Sequence, residues 1–197
     1  MRSGRTFIIS GPSGVGKSTV LNALLARHTD LAFSVSATTR NPRPGEQNGV
    51  HYHFINVDQF REMIARHELL EYAEYVGNFY GTPKQFVDDN MARGRDVILD
   101  IEVQGATQVH TLRPETVRIF IAPPSWDELE RRLAGRGTDS PEKIQKRLVR
   151  AKVEFQMAHT YDYFVINDTV DGAVRELEAI LIAEHCRPRE RMEMIDG

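Results

Sequence analysis

Short runs of consecutive apolar residues alternate along this chain with stretches whose apolar positions recur every three or four residues. Thr6-Phe7-Ile8-Ile9, Val97-Ile98-Leu99, Val117-Arg118-Ile119-Phe120-Ile121 and Tyr163-Phe164-Val165-Ile166 are brief, nearly unbroken and rich in β-branched and aromatic side chains. Such runs predict strands buried on both faces. Leu21, Leu24, Leu25 and His28 fall on one helical face, and so do Val170, Val174, Leu177 and Leu181. Strand and helix in alternation predict an α/β fold, a parallel sheet flanked by helices.

Two stretches break the rhythm. Residues 37–93 begin with a Pro/Gly-rich loop and continue with short alternating segments, His51 to Phe54 and Leu69 to Val76. Residues 124–158 have only helical periodicity, interrupted at Gly135-Arg136-Gly137. The expected organisation is therefore one domain over 1–185. Its core comprises 1–36, 94–123 and 159–185, with a mixed α/β insert at 37–93 and a helical lid at 124–158. A polar tail follows at 186–197.

Composition narrows the class. The 197 residues carry a net charge of −3, which argues against a general nucleic-acid binder, because phosphate-backbone affinity needs clustered positive charge. The single cysteine, Cys186, excludes an intrachain disulfide and a four-cysteine zinc site. The longest late apolar run, Ala179 to Ala183, is far too short to span a membrane. No targeting segment is legible, so no membrane association and a cytoplasmic location are the expectations.

The strongest chemical signal is Gly11-Pro12-Ser13-Gly14-Val15-Gly16-Lys17-Ser18. Four residues separate Gly11 from Gly16, Lys-Ser follows, a predicted strand precedes and an amphipathic helix comes after, as a phosphate loop requires. The glycines allow successive backbone N–H groups to face one point, and the helix start adds partial positive charge. Lys17 suits the β- and γ-phosphates, and the Ser18 hydroxyl suits Mg²⁺. This predicts nucleoside triphosphate binding and leaves the acceptor open.

Arg40 and Arg43 lie three positions apart in a loop stiffened by Pro42 and Pro44. Paired guanidinium groups suit a phosphate dianion, although either arginine alone reads as a solvated basic turn. Asp100 closes an apolar run at the C-terminal edge of a predicted central strand, where ligands bind in open α/β sheets.

Together these segments resemble the guanylate kinase family. The resemblance rests on the phosphate loop, Ser36-Ala-Thr-Thr-Arg40-Asn-Pro-Arg43-Pro-Gly-Glu46, Asn48-Gly-Val-His-Tyr52-His-Phe54, Gly77-Asn-Phe-Tyr80-Gly-Thr82, Leu99-Asp100-Ile-Glu-Val-Gln-Gly105, Arg132-Leu-Ala-Gly-Arg136-Gly137 and Asn167-Asp168. It spans about residues 5 to 184. It departs at Val103, where family members often have an aromatic residue.

The resemblance implies a P-loop NTPase core, an insert that binds the nucleoside monophosphate and a helical lid. The implied reaction is ATP + GMP = ADP + GDP, with Mg²⁺ accompanying ATP. Arg40, Arg43, Tyr52 and Tyr80 would hold the GMP phosphate, with Ser36 in the same pocket. Glu71, Thr82 and Asp100 would read guanine. The chemistry is apt, because a carboxylate can accept from both N1–H and N2–H₂ of guanine, whereas adenine offers no matching donors. An acid such as Asp100 also resembles one that holds Mg²⁺ through water, and the sequence leaves both tasks open. Glu102 is equally open between site and structural charge.

From Arg131 to Lys152 there are eight basic and two acidic residues. Lys143, Arg147 and Arg150 share one helical face, and Ile144, Leu148, Ala151 and Phe155 share another. A solvated basic face is the ordinary reading. The resemblance instead gives Arg132 and Arg147 to phosphates, Arg136 to the adenine face and Asn167 to adenine. The acceptor is already an ionised phosphate oxygen, so no general base is required.

Two alternatives accompany this reading. One is a monophosphate kinase for another base, which Glu71 and Thr82 oppose. The other is a non-catalytic guanylate-kinase-like binding module, which intact Lys17 and Ser18 oppose. The oligomeric state is not legible.

Overall fold

The computed structural model describes residues 4–75, 77–135 and 140–188. Its elements, in chain order, are β1 (Thr6–Ser10), α1 (Lys17–Arg27), β2 (Ala32–Ser34), β3 (Ala37–Thr38), β4 (His53–Phe54), α2 (Val57–Ala65), β5 (Leu69–Tyr75), β6 (Asn78–Pro83), α3 (Lys84–Ala92), β7 (Val97–Asp100), α4 (Val103–Leu112), β8 (Val117–Ala122), α5 (Trp126–Ala134), α6 (Pro141–Met157), β9 (Tyr163–Ile166) and α7 (Val170–Glu184). The apolar runs read from sequence are β1, β7, β8 and β9. The chain forms two compact units, with β1 contributing its first three residues to one and its last two to the other.

In the unit made of residues 4–8 and 30–116, β2 pairs in parallel with β7 from Ala32↔Val97 to Ser34↔Leu99. β7 borders β1, and the Val97 N–H donates to the Arg5 carbonyl at 2.8 Å. Phe7, Ile8, Val97, Ile98 and Leu99 are fully buried, as strands covered on both faces must be.

A second sheet in this unit has the order β4-β3-β6-β5. β5 and β6 run antiparallel, with Leu69 opposite Pro83 but Tyr72 opposite Gly81, so β5 holds one extra residue there. The bulge explains why Leu70 and Glu71 are both buried, where a regular pleat would alternate them. The strand expected over His51 to Phe54 is confined to His53–Phe54. Ahead of it the His51 N–H donates to the Gln47 carbonyl at 3.1 Å, which commits that segment to a turn. α2 begins with a reciprocal cap, Asn56 bonding the Gln59 backbone and Gln59 bonding that of Asn56.

In the unit made of residues 9–29 and 117–188, β8 pairs in parallel with β9 from Ile119↔Tyr163 to Ala122↔Ile166 and borders β1. α1 buries Val20, Leu21 and Leu24, and α7 buries Val174, Leu177 and Leu181. The two helices are also tied by the Arg27–Asp171 ion pair and by His28 with Glu178 at 3.0 Å.

α5 and α6 share a small core of Leu129, Leu133 and Ala151, with Ile144 and Leu148 packed against it. Phe155 continues that face of α6 onto Phe120 and Trp126, with ring centroids at 5.3 and 4.7 Å. The expected apolar face of α6 is thus the packed one. Both helices are capped from sequence, α5 by Ser125 and α6 by Ser140 with Pro141 in its first turn.

Candidate active site

Two clusters of the expected residues form, each within one unit. The first is the loop from Gly11 to Gly16, between β1 and α1. Gly16 precedes α1 at φ 88°, a left-handed conformation that favours glycine. A Cβ there would also meet the Asn167 amide nitrogen at 2.6 Å. No side chain caps α1 and its first turn holds no acid, so the partial positive charge at its start is not neutralised from within the helix and suits an anion. Lys17 opens the helix and Ser18 follows in its first turn.

The loop is braced from behind. The Val15 carbonyl accepts from the Asn167 side-chain amide at 2.7 Å and from Arg132 Nη1 at 3.0 Å. Arg132 Nη2 donates to the Asn167 carbonyl at 3.0 Å, and Nε donates to Glu128 at 2.6 Å. Of five guanidinium N–H groups, this arrangement leaves up to two for a phosphate. Arg147, on α6 beside its apolar stripe, donates to the Ser13 hydroxyl at 3.1 Å. Lys17, Ser18, Arg132, Arg147 and Asn167 therefore all belong to the loop unit. Arg136, expected at the adenine face, lies outside the described residues.

The second cluster surrounds a cavity of about 230 Å³ lined by Ser36, Tyr52, Glu71, Tyr80, Asp100 and Glu102, with Ala73, Tyr75, Gly81, Ile101, Gln104 and Gly105 completing its wall. Glu71 is 7% exposed, yet its carboxylate accepts from the Thr82 hydroxyl at 2.7 Å. Burial pushes the Glu71 carboxyl up to about 7, with the Thr82 bond pulling it partly back and the Glu102 charge adding to the rise. Gly105 makes room for this carboxylate, since a Cβ on Gly105 would lie 2.6 Å from Glu71 Oε2.

At the same cluster Arg40 is held by both oxygens of Glu46, at 2.8 and 3.0 Å. Its guanidinium lies over the rings of Tyr52 and Phe54, 5.4 and 5.7 Å from their centroids. Glu46 also accepts the Arg43 backbone N–H at 2.7 Å. These bonds hold the Glu46 carboxyl down at about 2. The Arg43 side chain is exposed. Tyr52 is pushed above the ordinary phenol value by burial and by the charge of Asp100.

A carboxylate aimed into a buried pocket and a fixed arginine nearby can read a polar base edge and a phosphate. The guanylate kinase family model matches residues 3–184. This chain belongs to the guanylate kinase family. Guanylate kinase from Trichodesmium erythraeum (strain IMS101) is 54% identical over 181 residues, covering 92% of this chain and 97% of its own length. Guanylate kinase from Dechloromonas aromatica (strain RCB) is 50% identical over 181 residues, covering 92% and 90%. The crystal structure of guanylate kinase from Anaplasma phagocytophilum matches with a TM-score of 0.78 at 34% identity, over 95% of this chain and 89% of that one.

Within this guanylate kinase fold, sequence reasoning gave no task to Glu46 or to the Val15 carbonyl. Glu46 carried a signal, an acid three positions beyond Arg43 in the same Pro/Gly turn. The Val15 carbonyl carried none, because its partners come from distant elements.

Proposed function

We propose that this protein transfers the γ-phosphate of ATP to GMP, giving ADP and GDP. The observation that carries this reading is the buried Glu71–Thr82 pair in a cavity that also holds Tyr52, Tyr80 and Asp100. An ionised Glu71 accepts N1–H and N2–H₂ of guanine, and the Thr82 hydroxyl is released to donate to O6. An adenine base would leave the buried carboxylate without a donor, which is costly. Asp100 and Ser36 line the same cavity, and we assign both to the acceptor nucleotide. Arg40, Arg43, Tyr52 and Tyr80 bind its phosphate.

The loop from Gly11 to Gly16 wraps the triphosphate with Lys17 on the transferred group. Arg132 and Arg147 neutralise charge as two anions approach, and Arg136 covers the adenine. Asn167 touches adenine, and its amide, donating to the Val15 carbonyl, also helps to hold the loop. The acceptor oxygen is already ionised, so the protein supplies alignment and charge compensation, not a base. Mg²⁺ bound with ATP would lower the charge on the phosphates. Ser18 offers one neutral oxygen in the first turn of α1, which suits a hard cation that keeps water and phosphate oxygens as its other ligands. No group of three His, Cys, Asp or Glu able to hold a metal occurs among the described residues.

We take the division into a core, an insert at 37–93 that binds GMP and a lid at 124–158 as part of the same reading. ATP and GMP are cytoplasmic nucleotides, and we propose that location. Among the described residues, no helix is long and apolar enough to cross a membrane.

The test is ADP formation from ATP and Mg²⁺ with GMP, AMP, UMP or no acceptor. Turnover confined to GMP and its deoxy form is expected. Turnover with AMP or UMP would discard the roles of Glu71 and Thr82.

A further inference from the structure

The β5 bulge turns Glu71 inward, and the residues on either side of it are ordinary strand residues: Leu69 pairs with Pro83, and Tyr72 with Gly81. A bulge leaves a residue without its cross-strand partner, so its backbone direction is less fixed by the ladder than its neighbours'. The precision of a buried carboxylate then depends on what else grips the strand nearby.

That grip comes from α4. Gln108 Nε2 donates to the Tyr72 carbonyl at 3.2 Å, and Gln108 Oε1 accepts the Tyr72 N–H at 3.4 Å. One side-chain amide thus satisfies both backbone groups of a single residue, as a neighbouring strand residue would. The Tyr72 N–H belongs to the peptide that begins at the Glu71 carbonyl, so fixing it fixes the backbone torsion that sets where the Glu71 side chain points. Gly105 lies three positions before Gln108 on the same face of α4, against the Glu71 carboxylate. The helix therefore presents a gap for the carboxylate and, one turn later, a clamp for the strand that bears it. Tyr72 itself is 44% exposed, so burial does not supply the constraint at this point.

We infer that Gln108 is a positioning residue for base recognition, acting through the Tyr72 backbone to aim Glu71 at the acceptor base. This rests on the proposed reading of Glu71 and names a residue that touches no substrate.

The test compares wild type with Gln108→Met, which keeps the length and bulk of the side chain and removes both hydrogen bonds, and with Gln108→Ala. GMP is compared with inosine 5′-monophosphate, which lacks the 2-amino group. Both variants should raise KM for GMP by about threefold to tenfold, the range for losing one or two modest hydrogen bonds. They should narrow the preference for GMP over the inosine nucleotide and leave KM for ATP unchanged. Combined with Glu71→Gln, Gln108→Met should add little, because both act on one contact. A packing defect alone would lower thermal stability without changing the ratio between the two acceptors. Gln108→Met with wild-type KM for GMP and a wild-type acceptor ratio overturns the inference. If Glu71→Gln itself leaves that ratio unchanged, the reading of Glu71 fails first. If Glu71→Gln collapses the ratio and Gln108→Met does not, only the role of Gln108 fails.

Discussion

The side-chain amide of Asn167 donates to the carbonyl of Val15 at 2.7 Å, across 152 positions of sequence. Arg132 shares that carbonyl, so the back of the phosphate loop is fastened by two donors from two other elements. Asn167 is 3% exposed, which makes the bond costly to leave unmade. Asn167→Ala should raise KM for ATP by about tenfold with KM for GMP nearly unchanged, on the scale of a buried hydrogen bond. Steady-state kinetics with each substrate varied in turn decide this, and an unchanged KM for ATP would remove Asn167 from the loop's support.

Glu46 holds Arg40 through both oxygens and Arg43 through its backbone. It acts as a brace that keeps the arginine in place before any anion arrives. Glu46→Ala frees a long side chain whose ordering must then be supplied on binding, so KM for GMP should rise by about tenfold. KM for ATP should stay constant. Isothermal titration with GMP gives the affinity directly, and wild-type affinity in this variant would rule out the brace.

Glu71 titrates near 4.5 in the unfolded chain and at about 7 in the folded protein. Between those values the folded state holds a proton that the unfolded state has lost. The stability linked to this group is therefore fully present below pH 4.5 and is lost as pH rises through about 7, an effect of about 3 kcal/mol. Glu71→Gln should gain melting temperature relative to wild type as pH is raised from about 5 to about 8. Binding runs the other way, since guanine needs the ionised carboxylate. For wild type, kcat/KM for GMP should fall about tenfold per pH unit below about 7, with a further limb from the phosphate of GMP at pH ~6. Glu71→Gln should keep only the phosphate limb. Superimposable pH profiles would refute the assignment.

Lys17→Ala removes the cation at the transferred phosphate. Phosphoryl transfer should drop by about a thousandfold or more while the fold persists, because charge stabilisation dominates this chemistry. Coupled-assay turnover together with circular dichroism checks both halves. A variant retaining most of its rate would displace the triphosphate from this loop.

The four apolar strands and the phosphate loop were legible because each is a local statement, although β9 lies at the sheet edge with Phe164 and Ile166 half-exposed and is not buried on both faces. Val97 to Leu99 is apolar without interruption, and Gly11 to Ser18 has fixed spacing with a strand before it. The α6 face was legible for the same reason, through helical periodicity from Ile144 to Phe155. The acceptor site was not legible from residues alone. Glu71 in isolation reads as an exposed strand glutamate, and only the likeness to a family pointed to it. Its burial arises from a bulge, and a bulge leaves no periodic trace. Gln108 and Asn167 matter through backbone groups of distant residues, which side-chain patterning does not record. Tyr52 and Tyr80 could equally have been core aromatics until they met edge to face at 6.1 Å beside Arg40.

The extra residue in β5 makes this recognition sensitive to counting as well as to chemistry. Between Leu69 and Tyr72 a regular strand has one intervening residue, and here there are two, Leu70 and Glu71, both turned inward. One of them serves the apolar core and the other serves the pocket. Deleting a single position there would restore an even ladder with β6 while leaving one inward place for two tasks. A chain so shortened keeps either its packing or its carboxylate, although every other amino acid around the pocket is still present. Acceptor choice in this fold thus depends on the length of β5 as well as on the carboxylate that β5 carries.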